Sequence, residues 1–423
     1  RPLSAQTEFD VVVVGGGIIG LATAREIRNR YPRKTVCVLE KEAAVGCGMS
    51  GHNSGVIHAG MYYEPGSVMA KTCVRGSRLM YEFCDQYKVP YDKTGKLIVA
   101  TDTSEDQSVQ MLYTQGRQNG VPGLEIWDAQ QVKQKEPNVL ATTALWSPET
   151  GIIDYAVVCR VLEAQLLASK RADVKCSFEV NRVTNLDDGR VRVTGIEHGQ
   201  PGPIKAVVAK NVITCAGLFA DRVGRAAGGA RGPGVVSFRG SYYQMKEEYK
   251  DIVKANVYPV PNGTGIPTGI HFTPTLNEKR GRQTIIGPGA CPAFSREGFQ
   301  FADFKLGDFL DLCTNFGFVM FFLKNPVFSL QVFYEDINKK AFMKQAQKLI
   351  PSVTEDMVEE SFSGVMCQVF ETNGDTAKDY IFERKCMDGK VLNLRSCPSP
   401  AATASLAIAE HVVEVAEADF GWK

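Results

Sequence analysis

The residues with the clearest chemical content stand near the start of the chain, in Gly15-Gly16-Gly17-Ile18-Ile19-Gly20, with Glu40 twenty positions further on. Gly15, Gly17 and Gly20 match the spacing GxGxxG, which by itself is weak evidence. Here the motif follows Phe9 to Val14, a run dominated by valine, and opens Ile18 to Arg30, whose apolar face carries Leu21, Ala24 and Ile27. That is the strand, turn and helix the motif requires. Gly15 permits a tight turn, Gly17 lets backbone approach a pyrophosphate, and Gly20 lets helix and strand pack closely. The helix N-terminus offers N–H groups and the positive end of a dipole to phosphates. Glu40 accepts hydrogen bonds from a ribose hydroxyl. These residues predict dinucleotide binding. A Gly/Ser-rich loop, Gly46 to Gly51, follows the second strand in place of further αβ repeats, which favours FAD over NAD.

The elements that must position this motif form a βαβ unit: Phe9 to Val14, Ile18 to Arg30, and Thr35 to Leu39, which ends at Glu40. Valine-rich runs of this kind suit strands buried on both faces. From Val89 to Leu140 the texture changes to short strands, turns and polar helix. Tyr155 to Lys170 reads as an amphipathic helix, and Val174 to Phe178, Arg190 to Ile196 and Val207 to Thr214 as strands. Segments punctuated by Pro and Gly between Phe238 and Ile286 read as β-structure, while Lys339 to Ile350 and Ala401 to Asp419 read as helices. The two textures alternate, so interleaved rather than sequential domains are expected.

With 423 residues, two or three domains are expected at roughly 100–200 residues each. Lys plus Arg number 48 and Asp plus Glu 47, a net charge of +1 that excludes the electrostatic footprint of a nucleic-acid binder. The 12 cysteines are scattered without a CxxC pair, so zinc and iron–sulfur spacings are absent and no metal is expected. Reduced, partly buried thiols in an intracellular compartment are expected. The first residue is Arg1 rather than Met, so the natural start, and with it any targeting segment, is expected to have been lost.

Beyond the phosphate motif, several stretches are distinctive: Gly51 to Tyr63 (GHNSGVIHAGMYY), Thr214 to Asp221, Arg239 to Tyr243, Gly269 to Pro274 with Ile286 to Pro288, and Ser399 to Leu406. On these stretches the chain resembles the FAD-dependent oxidoreductases of the D-amino-acid oxidase and glycerol-3-phosphate dehydrogenase type. Within that group it is closely similar to the L-2-hydroxyglutarate dehydrogenases. The resemblance implies an α/β fold, a Rossmann-like FAD-binding domain interleaved with an α+β substrate domain built on an antiparallel sheet. Residues 1–88, 150–225 and 355–423 would form the first and residues 89–149 and 226–354 the second. It implies oxidation of L-2-hydroxyglutarate to 2-oxoglutarate, with electrons leaving FAD for a quinone or other respiratory acceptor, and a mitochondrial, membrane-associated location in a eukaryote. Alternatives are another flavoenzyme of the same fold, an amino-acid oxidase or a glycerol-3-phosphate dehydrogenase, and a non-catalytic FAD-binding redox sensor. For the cofactor it implies contacts from Gly15, Gly17, Ile18, Ile19, Gly20, Glu40, Lys41, Ser50, His52, Asn53, Ser54, Val180, Ala216 and Gly217. Ser399, Pro400, Ala401, Ala402 and Thr403 open the last helix, where their N–H groups would stabilise negative charge on the reduced flavin.

Oxidising a 2-hydroxy acid requires hydride loss from C2 to flavin N5 and a base for the hydroxyl proton. Neutral histidine suits the second task, because its pKa lies near working pH. Of the five histidines, His198 and His411 read as surface groups, and His271 and His58 are the candidate bases. The two substrate carboxylates call for Arg forks, hydroxyls or backbone N–H groups. Arg239, Tyr242, Tyr243, Tyr62 and Thr273 are the candidates. Tyr242 and Tyr243 would face opposite sides of a strand, so at most one touches substrate. The aromatic run Phe309 to Leu323, flanked by Lys305 and Lys324, is too short for a membrane span and suits a peripheral membrane contact or a buried helix.

Overall fold

The structure, a computed structural model, describes residues 7–197, 205–261 and 269–422. The chain divides into two compact units. The first comprises Arg1–Gly51, Tyr155–Val235 and Lys378–Lys423, the second His52–Asp154 and Val236–Ala377.

In the first unit the strand Glu8–Val14 lies at the centre of an eight-stranded sheet, and Val11, Val12 and Val13 are fully buried. It pairs in parallel with Val36–Leu39 on one side and Lys205–Thr214 on the other, Val12 lying opposite Cys37 and Val212. A strand flanked by strands and covered on both faces must be apolar at every position, which explains its unalternating valines. Val391–Ser396 extends the parallel part beyond Lys205–Thr214, and Phe178–Asn185 and Val191–Glu197 add an antiparallel edge. The helices Ile18–Arg30 and Ala401–Phe420 pack on each other. Their ends are tied by Arg30, which pairs with Glu26, Glu414 and Glu417.

The strand expected over Val174 to Phe178 is two strands. Ala172–Lys175 ends, Ser177 adopts a left-handed backbone with φ 58°, and Phe178–Asn185 begins in a different pairing. The break serves the loop after Glu40: the Ser177 and Phe178 N–H groups donate to the carbonyls of Glu42 and Glu40.

In the second unit a nine-stranded, mainly antiparallel sheet runs in the order Cys291–Pro292, Val235–Met245, Gly281–Gly287, His271–Asn277, Asn256–Pro259, Lys96–Ala100, Thr143–Ser147, Glu125–Asp128. Val358–Val369 pairs with Val235–Met245 off that path. Residues 52–88, 150–154 and 355–377, expected with the FAD-binding domain, belong to this second unit, while 226–235 belong to the first. Long-range pairing decides this: Val56–Ile57 pairs with Gly151–Ile153. The Asn119 side-chain amide also donates to the carbonyls of Gly60 and Tyr63. The apolar core lies under the sheet, where Leu97, Val257, Phe272 and Ile286 meet Phe342, Met343 and Leu349 of the helix Lys339–Leu349.

The aromatic run Phe309 to Leu323 is broken into Leu306–Thr314 and Phe316–Lys324, which meet at 64°. Asn315 causes the break: its side-chain oxygen accepts the Phe318 N–H at 3.0 Å and caps the second helix. No single helix among the described residues is long and apolar enough to cross a membrane. The pair is seated on its own unit, with Leu312 and Phe321 buried against Phe238 and Phe370.

Candidate active site

The cradle at Gly15–Gly20 is built from backbone that tolerates no side chain. Gly15 has φ 116°, and a Cβ there would stand 2.3 Å from the Cys215 carbonyl oxygen. A Cβ on Gly20 would stand 2.0 Å from the Gly15 carbonyl oxygen, so helix and turn meet through bare backbone. Over Gly17 the space is larger, and a Cβ would meet only Ser50 Oγ, at 3.3 Å. The Ile18 N–H donates to Ser50 Oγ at 3.0 Å, which ties the Gly46–Gly51 loop to the helix N-terminus. Ile18 is buried and Ile19 half-buried behind it. Glu40 accepts from the Gly16 N–H at 2.6 Å and the Glu42 N–H at 2.8 Å. Burial pushes its carboxyl up, against the pull of those two N–H groups. Lys41 pairs with Glu42 and lies 5.2 Å over the ring of Phe219. Ala216 and Gly217 (φ 52°) form the turn after Lys205–Thr214. Val180 packs against the sheet core as a structural residue, on the strand that starts beside Glu40.

At the same carboxyl edge of this sheet, Ser399 is exposed and Pro400 precedes the helix Ala401–Phe420. Ala401 is buried and Ala402 half-buried. Thr403 Oγ1 is 3.0 Å from Tyr155 Oη. The Thr403 hydroxyl thus already has a protein partner, and what this helix end presents is backbone. The bare turn, the space a Cβ at Gly17 would enter and the carboxylate at the end of the second strand fit an FAD pyrophosphate and ribose.

The second unit contains the polar cluster. Three adjacent strands project side chains onto one face: Lys96–Ala100, Asn256–Pro259 and His271–Asn277. Asn256 registers with Lys96 and Val257 with Phe272, which brings Tyr258 alongside His271. Their rings stack with centroids 3.7 Å apart. His271 Nδ1 is 3.0 Å from Thr273 Oγ1, two residues on and on the same face. The Tyr258 hydroxyl hydrogen-bonds the side chains of Thr273 and Ser54, and Ser54 also bonds the Tyr242 hydroxyl. Lys96, 0 % exposed, places Nζ 3.4 Å from His58 Nδ1 and 3.9 Å from the Tyr258 ring centroid. The ring of Tyr62 is 5.4 Å from that Nζ, and its hydroxyl is buried with no hydrogen-bond partner among the described residues.

Burial dominates the electrostatics here. It pushes both imidazoles well below the ordinary histidine pKa, and the charge of Lys96 pushes the same way. The Lys96 ammonium itself is pushed down to about 7 by burial, with Cys73 acting in the opposite sense. At neutral pH both histidines are therefore neutral, the state a proton acceptor must be in.

Sequence reasoning singled out His58, His271, Tyr62, Thr273 and Tyr242, and the fold brings all five together with Ser54. It missed Lys96, Tyr258 and Arg280. The Arg280 guanidinium lies 4.0 Å over the ring of Phe362, which stacks on Tyr242 at 4.6 Å, and its Nε is buried without a hydrogen-bond partner among the described residues. The one signal for Lys96 was a lysine heading the apolar run Leu97 to Ala100. Arg239 does not join the cluster. It is buried, pairs with Asp336, donates to Ser241 Oγ at 2.8 Å and lies over Phe301. A guanidinium in apolar surroundings needs a countercharge, and a residue 97 positions away supplies it. Its fork is therefore occupied, and the expectation that Arg239 binds substrate is corrected. Tyr243 points to the opposite face and packs edge-on against Phe342 in the core, so it too is no substrate contact.

His52 stacks against Phe299 at 4.7 Å, and Asn53 Oδ1 accepts the Gly55 N–H at 2.9 Å. Both sit in the second unit, as does Ser54. His411 lies on the last helix against Phe382, and His198 lies outside the described residues. Among the described residues no group of His, Cys, Asp and Glu is placed to hold a metal.

The family described as FAD dependent oxidoreductase matches residues 10–415. The chain is 39% identical over 428 residues to the mitochondrial L-2-hydroxyglutarate dehydrogenase of Nematostella vectensis, covering 99% of this chain and 92% of that one. It is 38% identical to the same enzyme of Dictyostelium discoideum (97% and 93% covered) and 37% identical to that of Homo sapiens (99% and 92%). Among solved structures, the L-alpha-glycerophosphate oxidase of Mycoplasma pneumoniae with FAD bound superposes with a TM-score of 0.75 at 23% identity, covering 98% of this chain and 95% of that one. Glycine oxidase of Geobacillus kaustophilus superposes with a TM-score of 0.69 at 17% identity, with 98% and 95% covered. At these identities the two structures speak for the fold alone.

Proposed function

Because the chain belongs to the FAD-dependent oxidoreductases, and within them to the L-2-hydroxyglutarate dehydrogenases, we propose that it oxidises L-2-hydroxyglutarate to 2-oxoglutarate. The observation that carries the chemistry is a pair of imidazoles kept neutral by their surroundings, His271 buried and His58 half-buried, among tyrosine and threonine hydroxyls. FAD, when bound, supplies the acceptor for the hydrogen that leaves C2 with its electron pair. The Gly15–Gly20 turn, Ser50 and Glu40 would hold its pyrophosphate and ribose.

His271 takes the hydroxyl proton. His271 acts in the tautomer whose Nδ1–H donates across the 3.0 Å contact to Thr273 Oγ1, which leaves the lone pair on Nε2 to receive the proton. The O–H and C2–H bonds are lost, C2=O forms, and the proton resides on Nε2 until solvent removes it. The reacting hydroxyl is next to one carboxylate, so that end of the substrate sits among His58, Tyr258 and Tyr62. The far carboxylate, three carbons on, suits the guanidinium of Arg280 with the Tyr242 hydroxyl.

The test is an anaerobic visible spectrum of the holoenzyme. L-2-hydroxyglutarate is expected to bleach the oxidised-flavin band, while D-2-hydroxyglutarate, glycerol-3-phosphate and glycine leave it unchanged. Bleaching by one of the last three in place of the L-acid overturns the substrate assignment. A loaded flavin that nothing bleaches replaces catalysis with cofactor binding.

The relatives named above are called mitochondrial, which supports a mitochondrial location for this chain. Its surface supports a peripheral membrane contact and delivery of electrons to a lipid-soluble quinone. Of the sixteen large apolar side chains exposed among the described residues, eleven fall between Phe301 and Ile337. Phe316, Phe322, Leu323, Val327 and Leu330 form the outer side of helices whose inner side is docked on the sheet, with Lys324 beside them. Such a patch is large for a surface that meets only water. The holoenzyme is expected to cosediment with vesicles of phosphatidylcholine and cardiolipin, and the double change Leu323→Glu, Val327→Glu to release it to the supernatant. Wild-type protein that stays in the supernatant rules the contact out.

A further inference from the structure

Lys96 is the least expected residue of the cluster. It is fully buried, and among the described residues no carboxylate pairs with it. Burying an ammonium without a counter-ion costs several kcal/mol, so a lysine at this position calls for an explanation. The groups facing it are His58 from the segment after Val56–Ile57, Tyr62 beyond it, Cys73 from the helix Val68–Tyr87, Tyr258 from Asn256–Pro259 and His271 from His271–Asn277. The aromatic rings stabilise the ammonium by cation–π attraction. Among the described residues its hydrogen-bond contact is His58 Nδ1 at 3.4 Å.

An ammonium has three donors and no acceptor. When Lys96 is charged, His58 Nδ1 must therefore be the acceptor, and the ring proton of neutral His58 must sit on Nε2. His271 is in the opposite situation, because Thr273 Oγ1 at its Nδ1 can accept. We propose that Lys96 is a positioning residue that holds His58 in the Nε2–H tautomer, so that His58 donates a hydrogen bond to the substrate's oxygens while His271 alone accepts the hydroxyl proton. The division of labour rests on the reading of His271 as the base. It gives the two histidines complementary roles: one stabilises oxygen as negative charge develops, the other removes the proton.

A consequence is a pH dependence with two different limbs. As pH falls, His271 protonates and the base is lost. As pH rises, Lys96 becomes a neutral amine that can accept as well as donate, so either tautomer of His58 satisfies the contact and the Nε2–H form is no longer held. Burial places that second titration near neutrality in the free enzyme, the state kcat/KM reports.

The decisive measurement is the tautomer of His58 in the resting holoenzyme labelled with nitrogen-15 histidine. Only five histidines are present, and His58 is identified by the signal lost in His58→Gln. At a pH below the Lys96 titration, the Nε2–H tautomer is expected in wild type, a mixture of tautomers in Lys96→Met, and recovery of the Nε2–H tautomer in Lys96→Arg, which keeps a charged donor. Lys96→Met is expected to lower kcat/KM roughly 10- to 100-fold, the usual effect of removing a group that fixes a histidine's tautomer. It should also abolish the alkaline limb, and Lys96→Arg should move that limb out of range. An Nδ1–H tautomer in wild type overturns the proposal, as does a Lys96→Met profile that keeps its alkaline limb. If Lys96→Met fails to fold, the wild-type tautomer decides by itself. Failure of L-2-hydroxyglutarate to bleach the flavin removes the substrate reading but leaves the tautomer result standing on the resting protein.

Discussion

Changing His271 to Asn lowers the rate of flavin reduction by L-2-hydroxyglutarate about 100- to 10,000-fold, the range over which a positioned general base contributes. The amide keeps a polar group beside Thr273 and much of the contact with Tyr258, but it cannot accept a proton. FAD content stays at the wild-type level, because the glycine turn, Ser50 and Glu40 belong to the other unit. The wild-type rate has a pH dependence the variant lacks. Burial holds His271 well below the ordinary value, so the imidazole stays unprotonated as the solution is acidified through that value, and activity falls only at lower pH. Anaerobic stopped-flow absorbance measures both quantities. A His271→Asn rate within threefold of wild type, with a large loss in His58→Gln, transfers the role of base to His58.

The other large effect is on cofactor loading. Gly20→Ala yields protein with less than about a tenth of the wild-type FAD, since even a methyl group would stand 2.0 Å from the Gly15 carbonyl oxygen. Both atoms belong to the turn that shapes the phosphate cradle. Relief requires the start of the helix Ile18–Arg30 to move away from it, which removes the N–H groups from their place. Gly307→Ala is the control, because nothing lies within 4 Å of a Cβ added there. The ratio of flavin to protein absorbance after purification and dialysis gives the answer. Full loading of the Gly20→Ala protein would show that the close approach at Gly20 is not what holds the cradle.

The cradle was legible in the sequence because every part of it is local. A buried strand, a glycine turn, a helix start and an acidic residue lie within about 30 residues, and each constraint on them is a matter of backbone conformation and hydrophobic periodicity. The same holds for Tyr242 and Tyr243: alternation along one strand predicted opposite faces, and one joins the polar cluster while the other enters the core. Ser177 shows where local reading stops, since its left-handed backbone is set by hydrogen bonding around the carbonyls of Glu40 and Glu42, more than 130 positions earlier.

The site itself was legible by residue type and not by arrangement. His58 and His271 were identifiable as chemically able residues, but the two histidines and their partners come from four separate segments that share no sequence pattern. Arg239 and Arg280 make the point most sharply. From sequence, Arg239 was the candidate carboxylate fork; in the fold Asp336 occupies it, and Arg280, which sequence reasoning did not single out, is the arginine beside Tyr242. The amino-acid sequence by itself determined that this chain binds FAD and which histidines are available for acid–base work. Only the tertiary structure decided which charged groups are spent on the fold and which face the cluster, because a charge's role depends on its countercharge and burial, and both come from residues distant in the chain.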